Sequence, residues 1–561
     1  MKPSLIGVKI LDKIEKLYQD EKYLAAAREY GLIAEEYERK GQYKELIETA
    51  HKIINCYLKY SDKQLEEENF FDAAQKQIEA ANMYNEFEEF ENAKELIKEA
   101  LKNLDKAGSI ALKNQNFQIA GDIFSQGAGY SEVYLDKSIT NQFYEKAIEA
   151  YQKAADEFED TEYYKNYVRL LQFVAIMKEK LSKYDDAIII HEKIIEISKK
   201  RTFSSIATES YLHIYECLMQ QDKQDKALKF LKEGANFNIK EAELSLDIDD
   251  LINAISTYEN TLKILKVLDD KKGIIEVSQK LADIYLEISN SYEDSNLDNT
   301  ARYLRNAALI YKSLEDKKYQ EEAAKLFEKV GRILFELGDN KEAAENYMES
   351  SSIYKEIGEF KKAADVSISA TESAKMSNCK LTTVESLRNA LEHLTDIQDE
   401  TRIKLVVHEI SKCLKDLSIE EENDQNYHVS ASLLYELGTY LENIDDSSYE
   451  QIYEDSSIKY IKAADQAIED NQEVIASYSL VCGVLLNIVI NKMDLAKNII
   501  EKYEKNSKIK NQKYFALANL VLNSTIEGKT DFNAITDQFK PLILNSVEIS
   551  ELFNKIKDLY S

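Results

Sequence analysis

The hydrophobic positions of this chain follow a helical rhythm, and that rhythm repeats over longer distances. An aromatic-x-x-Ala pattern occurs at Tyr23–Ala26, Phe70–Ala73 and Phe117–Ala120, each 47 residues from the last. It returns 40 residues apart at Tyr144–Ala147 and Tyr184–Ala187, and Ala227 follows another 40 on. Downstream the step is 20: Ala323, Ala343 and Ala363 each open an Ala-Ala pair. Twenty residues is one helix with its turn, and 40 is a helical hairpin. Alanine at a crossing lets two helix backbones approach, while a ring three positions earlier lies on the same face and fills the adjoining gap. In ELGDNKEAA and EIGEFKKAA, Gly338 and Gly358 stand between helices, where the left-handed conformation that ends a helix is needed. The predicted fold is all-α: an α-solenoid of antiparallel hairpins, each packing on its neighbours.

The pattern weakens at Glu243–Asp250 and at Ser289–Thr300, and Ser418–Asn426 and Asn443–Ser448 read as acidic loops. These breaks predict two helical lobes, over residues 1–250 and 251–561, with one continuous superhelix as the alternative. The most apolar stretch, Leu480–Ile490, has 11 residues where a membrane span needs about 20, so it reads as a buried helix.

Composition agrees. In 561 residues there are 2 prolines, Pro3 and Pro541, and 15 glycines, where ordinary usage gives about 28 and 39. Strand-rich folds need turn residues at short intervals and are excluded. The 5 cysteines form no C-x-x-C pair and read as reduced thiols in a cytosol. Acidic residues outnumber basic ones, 102 to 72, for a net charge of −30. That excess opposes nucleic-acid binding, which needs a basic stripe, and it disfavours anionic membranes.

Catalytic chemistry finds no foothold. The chain has no H-E-x-x-H, no cysteine at metal-ligand spacing, no P-loop and no G-x-S-x-G. Gly127-Ala128-Gly129 lies in a helical pattern, not between a strand and a helix. His191, in DDAIIIHEKII, reads as packing or surface. Acidic runs such as Glu66–Glu68 and Glu86–Glu91 read as solvated faces with lysines nearby. The chain therefore reads as a non-enzymatic binding protein, without catalytic residue, metal or cofactor.

Three segments resemble the soluble NSF attachment proteins (SNAPs). They are Tyr144–Ile194 (YEKAIEAYQKAADEFED onward), Glu79–Ala100 (EAANMYNEFEEFENAKELIKEA) and the tail Leu480–Tyr560 with NKMDLAKNIIEKYEKN. The 34-residue period and terminal proline of tetratricopeptide repeats are both missing. The chain is about twice the length expected for the SNAP family. The resemblance implies a right-handed superhelix of tetratricopeptide-like or SNAP-like hairpins, with a second repeat lobe over 251–475 and a C-terminal helical bundle over 476–561. It also implies an adaptor whose solenoid face binds a helical or coiled-coil, SNARE-like client, and whose C-terminal bundle recruits an AAA+ disassembly ATPase in membrane trafficking. Arg169 sits where the family has a lysine, and Glu527 and Asp531 match acidic positions of the tail. Asp122, by contrast, stands where the family is basic, and Lys492 where it is acidic. The family also carries an apolar membrane-touching loop near its start; here Phe70 and Phe71 are adjacent, but Phe70 reads as a core residue in register with Ala73. The implied location is cytoplasmic, at most peripheral to membranes. The alternative is a generic tetratricopeptide-like scaffold that recruits no ATPase.

Overall fold

An aromatic residue opens helix after helix: Tyr23–Arg39, Tyr43–Glu66, Phe70–Glu86, Phe90–Lys113, Phe117–Tyr134, Tyr184–Arg201 and Phe360–Met376 all begin on one. Three residues on, Ala26, Ala73, Ala93, Ala120, Ala187 and Ala363 are fully buried. The repeated aromatic-x-x-Ala is therefore chiefly a helix-start signature. Tyr144 is the exception, lying inside Lys137–Asp156.

The computed structural model describes residues 13–159, 161–201, 204–528 and 532–560. Among these there is no strand, and consecutive helices pack as antiparallel hairpins. The protein is an all-α solenoid of such hairpins. The chain divides into two compact units, residues 1–277 and 278–561. The stretch that interrupts the pattern and one that reads as an acidic loop are partly helical: Gln224–Asp247 runs through Glu243, and Glu400–Asn423 carries the acidic run up to Asn423. Its inner face, with Leu414, Leu417 and Ser418 buried, holds that segment in the helix. Within the other acidic runs, Glu67–Glu68 and Phe87–Glu89 lie in the turns between helices, while Glu66, Glu86, Phe90 and Glu91 are helical.

Those turns explain how the chain manages with few glycines. Gly338 and Gly358 have φ of 87° and 80°, as their positions predict. The same left-handed residue, two positions before the next helix, is Glu68, Glu88, Gln115 or Ser182 elsewhere, with φ near 60°. Each turn is closed by an N–H donating back five residues, as from Asn116 to the Ala111 carbonyl (2.9 Å) and from Glu89 to that of Tyr84 (2.8 Å). A non-glycine residue pays a steric cost there of roughly 1 kcal/mol. Gln115 is exposed. Gln115→Gly is therefore expected to raise the free energy of unfolding by about 1 kcal/mol in a urea titration. A loss of stability would refute this account of the turns.

Charge ties the hairpins together at the same period. In the first unit Lys63 pairs with Glu21 (2.9 Å) and Lys199 with Glu233 (2.9 Å). In the second Lys362 pairs with Glu321 (3.1 Å), Arg402 with Asp365 (2.7 Å) and Lys492 with Glu454 (2.7 Å). Each rung joins a helix or its adjoining turn to the next-but-one. Single exposed pairs contribute at most about 1 kcal/mol; as a series they fix the spacing between hairpins.

Tyrosine takes up part of the acidic excess. Tyr151 donates to Asp122 (2.7 Å), Tyr167 to Glu159 (2.8 Å), Tyr435 to Glu551 (2.6 Å) and Tyr503 to Asp465 (2.6 Å). Burial pushes these phenols above their ordinary range, so they stay protonated donors to carboxylates.

The C-terminal end departs from the simple stack. Glu473–Val489 is buried on almost every side, as the apolar run at Leu480–Ile490 predicts, and packs against Tyr449–Glu469, Lys513–Glu527 and Val547–Tyr560. Phe532–Leu544 bends at Phe539, two residues before Pro541, where the ring removes a helical hydrogen bond. The last helix turns back on earlier ones. Glu548 accepts from Tyr478 (3.0 Å), Glu551 accepts from Tyr435, and Lys555 pairs with Glu442 beside Tyr453.

Candidate partner-binding surfaces

In the first unit a cleft of about 780 Å³ opens between helices of successive hairpins. Leu58, Leu96, Leu101 and Phe143 form its apolar floor. Its rim carries Lys98, Lys102 and Lys146 against Glu95, Glu99 and Asp105. Lys98 is held by Glu95 (2.5 Å), and Lys146 pairs with Asp105 across the cleft. The i, i+4 spacing of Glu95 with Glu99, and of Lys98 with Lys102, puts both signs of charge along one helix. The geometry suits an apolar ridge flanked by mixed charge, such as one face of an amphipathic helix.

The second unit has a comparable cleft of about 660 Å³. Arg302, Arg305 and Lys312 of Leu297–Lys312 face Glu342, Glu345 and Glu349 of Asn340–Glu356. Arg305 lies 4.0 Å from Glu342, and Lys312 pairs with Glu349. A smaller apolar cleft of about 430 Å³, with Ile458, Ile461, Leu495 and Ile499 among its lining, lies nearer the C-terminus.

Arg169 is exposed on Tyr164–Lys180. It lies near enough to Tyr151 for its charge to counter part of the burial-driven rise of that phenol. Since Tyr151 donates to Asp122, Arg169 and Asp122 are brought to one neighbourhood of the first unit. Glu527 is exposed as the last residue of Lys513–Glu527 in the second unit, followed by Gly528 in the left-handed conformation. Asp531 lies outside the described residues. Lys492 is tied to Glu454. Phe70 is half-buried under the Lys106 ammonium, and Phe71 is exposed. The groove lysines and Phe143 escape a reading of the sequence, because the cleft joins residues from hairpins far apart in the chain.

These features define a helical-repeat protein with grooved surfaces of the kind that hold other proteins. The family model of the soluble NSF attachment proteins, SNAP, matches residues 20–232, which include the larger cleft, Asp122 and Arg169. No curated protein sequence matches the chain. Among solved structures, a STAND signal-transduction ATPase with a tetratricopeptide repeat sensor, from Pyrococcus horikoshii, is 14% identical with a TM-score of 0.27. That match covers 66% of this chain and 54% of the other, so the chain spans about half of that protein's length. A Naa15/Naa10 structure bound to HypK-THB is 14% identical, covers 98% of this chain and 96% of the other, and has a TM-score of 0.24. The apo form of RapI is 16% identical over 58% of this chain and 99% of its own, with a TM-score of 0.17. Among the described residues, no helix is long and apolar enough to cross a membrane.

Proposed function

We propose that the chain is a non-enzymatic, cytoplasmic adaptor similar to the SNAPs, which holds a helical or coiled-coil client and recruits an AAA+ ATPase to it. The match of residues 20–232 to the SNAP family model carries this reading. The first-unit cleft supplies an apolar floor and a charged rim for the client, and Arg169 is exposed elsewhere on the same unit. Glu527, exposed at a helix end, supports the contact to the ATPase, with Asp531 its neighbour in sequence. Glu548 and Glu551 are less available, because tyrosine hydroxyls already hold them. Bridging works through effective concentration: two modest interfaces become tight when both engage one assembly.

Capture of the tagged chain from its native cells, followed by mass spectrometry, should recover an AAA+ ATPase only together with a helical client. Charge reversal of Glu527 and Asp531 to lysine should reduce ATPase recovery several-fold. Arg169→Glu with Lys102→Glu should instead reduce client recovery. ATPase binding that ignores the tail reversals would remove those residues from the contact.

A second reading, a scaffold that meets no ATPase, draws on the charges of the clefts. Their lysines and arginines are largely engaged with acids of the same chain, and Asp122 is acidic where a SNARE-like grip calls for a base. Client recovery without any ATPase would favour it.

A further inference from the structure

Three successive helices of the first unit bring Glu179, His191 and His213 together, 12 and 22 residues apart in sequence. Glu179 lies in the last turn of Tyr164–Lys180, His191 is central in Tyr184–Arg201, and His213 lies on Ser204–Met219. His191 is only 1% exposed, so its place on an apolar helical face makes it a buried residue with a polar task. Its Nε2 lies 2.8 Å from one oxygen of Glu179, and the Nδ1 of His213 lies 3.1 Å from the other. The two imidazoles stack with centroids 4.9 Å apart and planes within 6°. A single carboxylate therefore receives two rings whose nitrogens point the same way.

Burial opposes ionisation of Glu179, but hydrogen bonds from His191 and His213 outweigh it and bring the carboxyl down to about 2. The hydrogen bond to Glu179 raises the imidazole of His213, with Glu216 and Glu209 adding negative charge nearby. Burial lowers that of His191, and its hydrogen bond to Glu179 opposes the shift. Cys217, one turn beyond His213, is buried beside the cluster.

The geometry points to a binding site for a zinc-class divalent cation, held by Glu179, His191 and His213. One ligand atom from each residue lies within 4.8 Å of the others. A tetrahedral ion with bonds of about 2.0–2.1 Å spaces its ligand atoms roughly 3.3 Å apart, so small side-chain rotations suffice. Two imidazoles and a carboxylate are a donor set suited to zinc, and solvent takes the fourth position on the half-exposed side of His213. A bound ion would clamp three helices that otherwise share one hydrogen-bonded bridge, making the stability of this part of the solenoid depend on metal.

The test uses the full-length, untagged chain after treatment with a chelator. One equivalent of Co²⁺ should produce the visible d–d absorption of a low-coordinate site, and one equivalent of Zn²⁺ should abolish it. Zn²⁺ should also raise the melting temperature of the metal-free chain. Glu179→Gln and His213→Ala, each with unchanged far-ultraviolet circular dichroism, should weaken Zn²⁺ binding by at least ~10–100-fold, the range seen when even an outer-shell partner is removed. His191→Asn is the third variant, should either of the others fold poorly. Absence of the Co²⁺ band in the wild-type chain would overturn the proposal. So would folded variants that bind as the wild type does, or variants that lower the melting temperature while leaving its response to Zn²⁺ intact.

Discussion

Replacing Gly127 by alanine is expected to destabilise the protein by about 1–2 kcal/mol, whereas the same change at Gly129 stabilises it by ~0.5–1 kcal/mol. Both residues lie in Phe117–Tyr134, where alanine favours the helix over glycine by up to ~1 kcal/mol. The sign is therefore set by what the new methyl group meets. At Gly129 it meets nothing within 4 Å. At Gly127 it would come within 2.6 Å of the Phe143 ring, which is buried and packs against Phe124 at 6.4 Å between centroids. The ring is backed by Phe124 and open only toward the cleft, so it must leave its rotamer or helix Lys137–Asp156 must shift. Gly121 against Tyr151 and Gly438 against Tyr453 repeat the arrangement. Urea denaturation of the two single variants checks the pair, and equal signs would sink the explanation.

Leu485→Ala is expected to cost about 2–5 kcal/mol, the range for an emptied leucine site in a core that cannot collapse. Leu485 is fully buried in Glu473–Val489, and that helix has partners on nearly every side. Elsewhere a helix packs mainly on the helices before and after it, so a cavity there loosens one hairpin. Here the cavity faces Tyr449–Glu469, Lys513–Glu527 and Val547–Tyr560 together. Hydrogen exchange should accelerate across residues 427–560, while helices between 297 and 376 keep their protection. Protection lost evenly through both stretches would contradict this division.

Most of the helical framework could be read from particular residues. The alanines at 26, 73, 120, 147, 187, 227, 323, 343 and 363 are all fully buried, because the absence of a side chain is what a close helix crossing requires. Gly338 and Gly358 hold the left-handed conformation for an equally local reason. Gln115 and Glu68 adopt it too, but nothing in a glutamine or glutamate announces the fact. The acidic run near Asn423 looked like a loop because its counter-charges are a hairpin away: Glu420 pairs with Lys380, and Glu422 with Lys462 (2.9 Å). Sites suffer more from the same remoteness. Lys146 and Asp105 are 41 residues apart, and Glu179 and His213 are 34 apart, each a hairpin-scale separation. Local spacing rules reach only three or four residues along a helix and miss such pairs.

The backward fold of Val547–Tyr560 also bears on how the second unit resists mechanical load. A stack in which each hairpin holds only its neighbours comes apart under tension like a zipper, one element at a time. The last helix is fastened differently, by Glu551 to Tyr435, 116 residues back, and by Lys555 to Glu442, 113 back. Force applied through this helix loads those fastenings in parallel, along with the buried face of Glu473–Val489. The first yielding event is then a single large rupture of the terminal bundle, and the hairpins behind it unravel only after that clasp has opened.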